Sequence, residues 1–104
     1  MAIMENKKRY KIIIAGKEYP CDFVMGAFLR FKRETGKDVS QMKPDDLEDL
    51  LMLMWCCVKC TTQAEGDEFP LDFETFCNSI TPEVLNGWNE RLSATAEKKS
   101  MKKV

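Results

Sequence analysis

Residues 10–20 read Tyr-Lys-Ile-Ile-Ile-Ala-Gly-Lys-Glu-Tyr-Pro, and this stretch decides the fold class. Its three consecutive isoleucines are β-branched and favour a strand. Gly16 can adopt the positive φ that a tight hairpin turn requires, and the chain then returns as a second short strand. Because Pro20 has no N–H to donate, this strand lies at an edge or ends there. We therefore predict an antiparallel hairpin over about residues 9–21.

The residues after the hairpin predict a first helix over about residues 23–35. Asp22 can cap the start of this helix, and Gly36 can end it in a left-handed conformation. At about 100° per residue, four apolar residues share one face of the helix. This predicted core stripe consists of Val24, Ala27, Phe28 and Phe31.

Met25 and Leu29 fall on the opposite face of the first helix, between Lys32 and Arg33. An apolar pair at i and i+4 among basic side chains is a candidate surface for contact with a partner. The alternative is ordinary surface apolarity, because single exposed apolar side chains are common on monomeric proteins.

A second helix follows a linker at residues 37–43. Its start is favoured by Pro44, Asp45 and Asp46, since proline suits a first turn and acids suit the positive end of the helix dipole. The helix is expected to extend to about Cys60. One face should belong to the core, and it carries Leu47, Leu50, Leu51, Met54, Cys57 and Val58. The other side is also apolar, with Met52, Leu53, Trp55 and Cys56, so the helix is either central or half covered by a partner.

The remaining sequence predicts an acidic loop at residues 64–70 and two further helices. Asp72 can cap a short helix, and Thr81-Pro82-Glu83 is typical of a helix start. The apolar residues expected to pack are Phe73, Phe76, Cys77 and Ile80 in the first of these helices, and Val84, Leu85, Trp88 and Leu92 in the second. The predicted fold class is α+β, with an N-terminal antiparallel hairpin followed by three to four helices. We expect a single domain over residues 1–104 that is ordered from about residue 9 to 95.

Composition narrows the classes of function. The 104 residues suffice for one domain, and 44% apolar residues exclude wholesale disorder. A net charge of −1 gives no electrostatic reason to bind nucleic acid. The longest uninterrupted apolar run, residues 50–58, is far shorter than the roughly 20 residues that span a membrane. Because no secretory signal is visible either, we expect a soluble cytoplasmic protein.

Five cysteines and no histidine limit the chemistry that the chain can perform. Cys57 and Cys60 form a C-x-x-C motif near the end of a predicted helix, where the helix dipole opposes a thiolate. A zinc site would need Cys56, Cys57 and Cys60 together with Cys21 or Cys77. Without a signal peptide, five free thiols are the default.

No set of catalytic residues can be argued from the sequence. The four acids at residues 45–49 are better explained by the start of a helix than by a cation site, because they point around more than half of its circumference. Trp55 and Trp88 are expected to anchor the core. We therefore predict a protein without enzymatic activity, without a cofactor and without a metal.

The order of these features resembles the tail assembly chaperones of long-tailed bacteriophages and related prophages. The resemblance covers about residues 10–92. It rests on the hairpin sequence at residues 14–20, the helix end at residues 31–38 (Phe-Lys-Arg-Glu-Thr-Gly-Lys-Asp), the leucine-rich helix from Asp46 to Trp55, and the terminal helix. The cysteine-rich stretch at residues 56–60 departs from what we associate with that family.

The resemblance implies a non-enzymatic role in a bacterial host cell. Such chaperones are thought to coat the long, partly apolar tape measure protein and to recruit tail tube subunits. We expect the partner to contact Met25, Leu29, Met52, Leu53 and Trp55. The open edge of the hairpin and the apolar back of the second helix also suggest a weak homo-oligomer. Two alternatives remain open: a small cysteine-based zinc or redox module, and a general protein-interaction adaptor.

Overall fold

The predicted hairpin is confirmed in the computed structural model, which describes residues 10–43 and 45–103, the last ten of them as backbone only. Strand β1 (Lys11–Ile14) pairs antiparallel with β2 (Lys17–Pro20). The turn between them has positive φ at both central residues, Ala15 (52°) and Gly16 (82°). This backbone matches the right-handed twist of paired strands and favours glycine at its second position. Along β1, Ile12 and Ile14 are buried, whereas Ile13 is exposed.

Four α-helices follow the hairpin within the described residues. They are α1 (Met25–Thr35), α2 (Leu47–Ala64), α3 (Phe73–Ser79) and α4 (Pro82–Lys103), with a short 3₁₀ turn at Val39–Gln41 inside the predicted linker. The α+β prediction with a hairpin and up to four helices is therefore confirmed. The expectations for residues 1–9 and for Pro44 lie outside the described residues, and those for the side chains after Ser93 do too.

Three helix ends are capped by the residues that the sequence indicated. Gly36 ends α1 with φ 79° and donates its N–H to the Lys32 carbonyl. The Asp72 carboxylate accepts a hydrogen bond from the Thr75 N–H at 2.9 Å, and Thr81 Oγ1 accepts one from the Val84 N–H at 3.3 Å. Each of these groups satisfies a backbone group that the helix end leaves unpaired.

The prediction that Asp22 caps α1 is wrong. The helix begins at Met25 after the extended residue Val24, and no side chain caps it. Asp22 instead joins three elements. Its N–H donates to Thr61 Oγ1 of α2 at 3.0 Å, and its carboxylate lies 3.3 Å from the Arg91 guanidinium of α4. Because these contacts fix the chain between β2 and α1, the helix starts two residues later than predicted.

Helix α2 begins and ends later than the sequence suggested, and it lies at the centre of the fold. Asp46 caps it by accepting hydrogen bonds from the N–H groups of Glu48 and Asp49 at 3.0 and 3.3 Å. The helix contacts α1, β2, α3 and α4. It therefore buries side chains all round: Asp49, Leu50, Leu53, Met54, Trp55, Cys56, Cys57, Val58, Thr61 and Thr62.

Two expectations about the faces of α2 are wrong. Leu47 was assigned to the core but is 57% exposed; it is the first residue of the helix. Leu53 and Trp55 were expected on an exposed back of the helix but are buried, as Cys56 is, because α2 is central, which is the other arrangement that the sequence left open. The expectation that Trp55 and Trp88 anchor the core is confirmed.

Candidate protein-binding surface

Met25 and Leu29 lie on the outer face of α1, and both are largely exposed to solvent. The opposite face of this helix packs through Ala27 and Phe31, which are fully buried. Met25 is 74% exposed and Leu29 is 58% exposed. They lie four residues apart, one turn above the other on the same side of the helix. Met25 and Leu29 are therefore an exposed apolar pair, as their position off the predicted core stripe indicated.

Basic side chains border this pair towards the C-terminal end of α1. Lys32 and Arg33 occupy the last turn, where cations interact favourably with the helix dipole. Lys32 Nζ lies 3.4 Å from the Asp38 carboxylate, with both side chains more than half exposed. Arg33 is exposed and makes no ion pair with the described residues. We use the term α1 outer face for Met25, Leu29, Lys32 and Arg33.

The other three residues predicted to contact a partner do not extend this surface. Leu53 is fully buried, Trp55 is 7% exposed, and Met52 is half-buried against the core. The assumption that these three side chains are free for a partner is wrong for Leu53 and Trp55. The structure therefore separates the predicted set into an exposed pair on α1 and a packed group on α2.

Trp55 has partners within its own chain that account for its position. Its indole N–H donates to the Leu71 carbonyl at 3.1 Å, and the Phe73 ring meets it edge-on with the ring centroids 5.9 Å apart. The Arg30 guanidinium and the Lys59 ammonium group lie over the indole at 5.5 and 5.4 Å from its centroid. The contact with Arg30 and the partly buried hydrogen bond hold α1 and the α3 region against α2.

Most of the cysteines lie in the core of the structure. Cys21, Cys56 and Cys57 are buried, and all five thiols are free of disulfides. Burial raises the pKa of Cys56 to about 12 and raises the pKa of Cys57 well above its ordinary value. Among residues 10–43 and 45–93, no group of three or more Cys, Asp or Glu side chains is placed to hold a metal ion. Cys21, Cys56 and Cys60 lie close enough to Cys57 to raise its thiol pKa further, but within the described residues they are not arranged as the four-ligand site that the zinc alternative needs.

Thiol labelling of the native protein should proceed in two stages. Cys60 and Cys77 are only half-buried, so we expect a thiol reagent at mildly alkaline pH to modify them first. Cys21, Cys56 and Cys57 should react only after unfolding, because burial blocks access and raises each thiol pKa. Mass spectrometry of labelled peptides over time measures the order. Labelling in denaturant is the control, since all five should then react together, and equal rates for Cys57 and Cys60 in the native protein would contradict this prediction.

No helix in the described part of the chain is both long enough and apolar enough to cross a membrane. Comparison of the chain with protein-family models, with curated proteins and with solved structures finds no match.

Proposed function

We propose that this protein is a non-enzymatic tail assembly chaperone of a phage or prophage. In this role it binds the tape measure protein and tail tube subunits in the cytoplasm of the bacterial host before the tail tube forms. Two kinds of support stand behind the proposal. The sequence features at residues 10–92 resemble those of such chaperones, and the order of hairpin and helices in the structure agrees with the order on which the resemblance rests.

The exposure of Met25 and Leu29 is the observation that carries the proposal. Covering such an apolar side chain contributes roughly 1.5–3 kcal/mol when its burial is complete. The pair is suited to a partner helix, whose apolar stripe can lie along α1 in the manner of a helix docked on an apolar surface. Methionine is unbranched and polarizable, so it adapts to varied sequences. A chaperone that coats a long, non-repeating polypeptide needs this tolerance.

The charges of the α1 outer face indicate which partner helix would bind best. Lys32 and Arg33 lie beside the apolar pair, at the negative end of the α1 dipole. A partner stripe flanked by acidic side chains would complement them and would be steered towards this face. We therefore expect the bound segments of the tape measure protein to be amphipathic helices with acids beside the apolar stripe.

Replacing Met25 and Leu29 together by glutamate should abolish binding of the tape measure protein. The charged side chains would have to be buried without partners in the complex, which is strongly unfavourable. The free protein should keep its stability within about 0.5 kcal/mol for each change, because both positions face solvent. The measurement is co-purification of the chain with a tagged tape measure protein from the same genome, beside thermal unfolding followed by circular dichroism.

Leu47→Glu is the matched control, since Leu47 is also exposed, at 57%, but lies on α2 away from the α1 outer face. This variant should bind the tape measure protein as the wild type does. If the double glutamate variant unfolds, the assignment of Met25 and Leu29 to a free surface is wrong. If it folds and still binds, the α1 outer face is not the binding site for the tape measure protein.

A further inference from the structure

A second exposed apolar feature lies on the other side of the molecule. The start of α2, the end of α3 and the start of α4 enclose an open groove of about 340 Å³. Its lining is almost entirely apolar and includes Leu47, Leu51, Cys77, Ile80, Pro82 and Leu85. We use the term α2–α4 groove for this feature. None of these side chains is fully buried, and Leu47 at its edge is largely exposed.

Acidic side chains dominate the surroundings of the α2–α4 groove. Glu48 and Glu74 lie close enough to Cys77 that their charges add to the effect of burial in raising the pKa of that thiol. Over residues 44–90 the sequence has eleven acids and only one basic residue, Lys59. The groove therefore favours an apolar ligand with positively charged neighbours.

The α1 outer face has the opposite character in both shape and charge. It is a protruding apolar pair, Met25 and Leu29, beside two basic side chains. The part of the chain that contains it, residues 10–43, has seven basic and four acidic residues. Within residues 10–93, the α1 outer face and the α2–α4 groove are thus complementary apolar surfaces with basic and acidic borders.

One chain cannot bring these two surfaces together, because they lie on opposite sides of α2. The side of α2 that faces α1 and the residues just after it includes Asp49, which accepts a hydrogen bond from Lys37 Nζ, two residues past the end of α1, at 2.6 Å. It also includes Cys60, whose Sγ would lie 3.9 Å from a Cβ added at Gly26. Leu47 and Leu51 are each two residues from Asp49, about 200° around the helix. Helix α1 covers one side of α2, its outer face points away from α2, and the groove opens on the far side.

We propose that the α2–α4 groove binds the α1 outer face of a second copy of this chain. Met25 and Leu29 of one copy would enter the groove of the next, and Lys32 and Arg33 would lie near its acidic border. The contact uses different surfaces on the two copies, so each added copy presents a new free groove or a new free face. Copies would therefore associate head to tail into chains or closed rings.

This contact differs from the hairpin-edge association expected from the sequence, and it goes beyond the proposed function without resting on it. The α1 outer face would be shared with the proposed tape measure partner, so that partner and a neighbouring copy would compete for it. Leu47→Glu separates the two ideas, because it introduces a charge at the groove and leaves Met25 and Leu29 unchanged. Binding of the tape measure protein by Leu47→Glu can therefore fail or succeed independently of self-association.

The test is a complementation experiment with two single variants of the full chain, followed by sedimentation velocity over a wide range of concentrations. Leu29→Glu damages the face and keeps the groove, whereas Leu47→Glu damages the groove and keeps the face. We expect the wild type to form dimers and larger species as concentration rises. Each variant alone should remain monomeric. An equimolar mixture should form a dimer and nothing larger, because the intact face of Leu47→Glu can bind the intact groove of Leu29→Glu and no other intact pair of surfaces exists.

Ile13→Glu at the exposed position of β1 is the control, and it should associate as the wild type does. Raising the salt concentration should weaken association of the wild type, because the charged borders are exposed and screened. The proposal is overturned if the wild type stays monomeric, or if either variant associates normally while circular dichroism shows it folded. It is also overturned if the mixture forms no dimer, or if only Ile13→Glu prevents association.

Discussion

Replacing Trp88 by alanine is expected to lower the free energy of unfolding by about 3–5 kcal/mol, the range typical of a buried large aromatic side chain. Trp88 is fully buried, and its ring lies 5.9 Å from the Phe23 ring, centroid to centroid. It is also the only buried side chain of α4 among residues 82–93. Because α4 has no other deeply packed anchor in this part, its loss should loosen the whole helix from β1 and α2.

Urea unfolding followed by circular dichroism measures the effect, and two further variants show that it arises from packing. Trp88→Phe should lose much less stability, since a ring still fills most of the site. Asn86→Ala, on the exposed side of the same helix, should change the unfolding free energy by no more than about 0.5 kcal/mol. If the total stability lies near the lower end of the usual range of about 5–15 kcal/mol, the alanine variant would be close to unfolding. A loss below about 1 kcal/mol would show that α4 is not held by Trp88.

The fold could be predicted from the sequence where local signals decide it. The β-branched residues of β1, a glycine at the hairpin turn and another at the end of α1 each favour a backbone conformation without help from the rest of the chain. The same holds for the side chains of Asp72 and Thr81, which each accept a hydrogen bond from a backbone N–H three residues further along the chain. These elements appear in the structure where the sequence indicated them.

The start of α1 and the faces of α2 could not be predicted, because distant residues decide them. Aspartate often caps helices, but the position of Asp22 is determined by its contacts with Thr61 and Arg91, which are 39 and 69 residues away. Periodicity selects the most apolar face of a helix, and it says nothing about how many neighbours surround that helix. Since α2 has neighbours on several sides, its second apolar face is also buried and was mistaken for an open surface.

The same reasoning explains which part of the candidate surface was found. On α1, the amphipathic pattern is simple, because one side packs on α2 and the other faces solvent, so Met25 and Leu29 stood out as exceptions. On α2 every turn carries apolar residues, so the sequence pattern did not indicate whether Trp55 is buried or exposed. The α2–α4 groove was missed because three separate segments form it. The sequence feature that could have indicated the acidic character of this groove is the stretch at residues 44–90, which contains eleven acids and a single basic residue.

Replacing Thr61 by valine is expected to destabilise the protein by about 1–3 kcal/mol, although the two side chains have nearly the same shape. The Thr61 hydroxyl is fully buried and bridges the chain at Asp22. It accepts a hydrogen bond from the Asp22 N–H at 3.0 Å and donates one to the Asp22 carbonyl at 3.2 Å. Valine would leave both backbone groups without this partner in a partly buried place, and an unpaired buried group loses the full free energy of its hydration.

The neighbouring Thr62 provides a control of the same size and chemistry. It is 3% exposed, yet its Oγ1 makes no hydrogen bond with any described residue. Thr62→Val should therefore leave the unfolding free energy unchanged or raise it, because it removes a buried hydroxyl that lacks a partner. Thr61→Ser keeps the hydroxyl and should recover part of the stability lost in Thr61→Val. Equal losses in Thr61→Val and Thr62→Val, measured by urea unfolding, would show that the bridge between α2 and the residue before α1 contributes nothing, and that the start of α1 is fixed by packing alone.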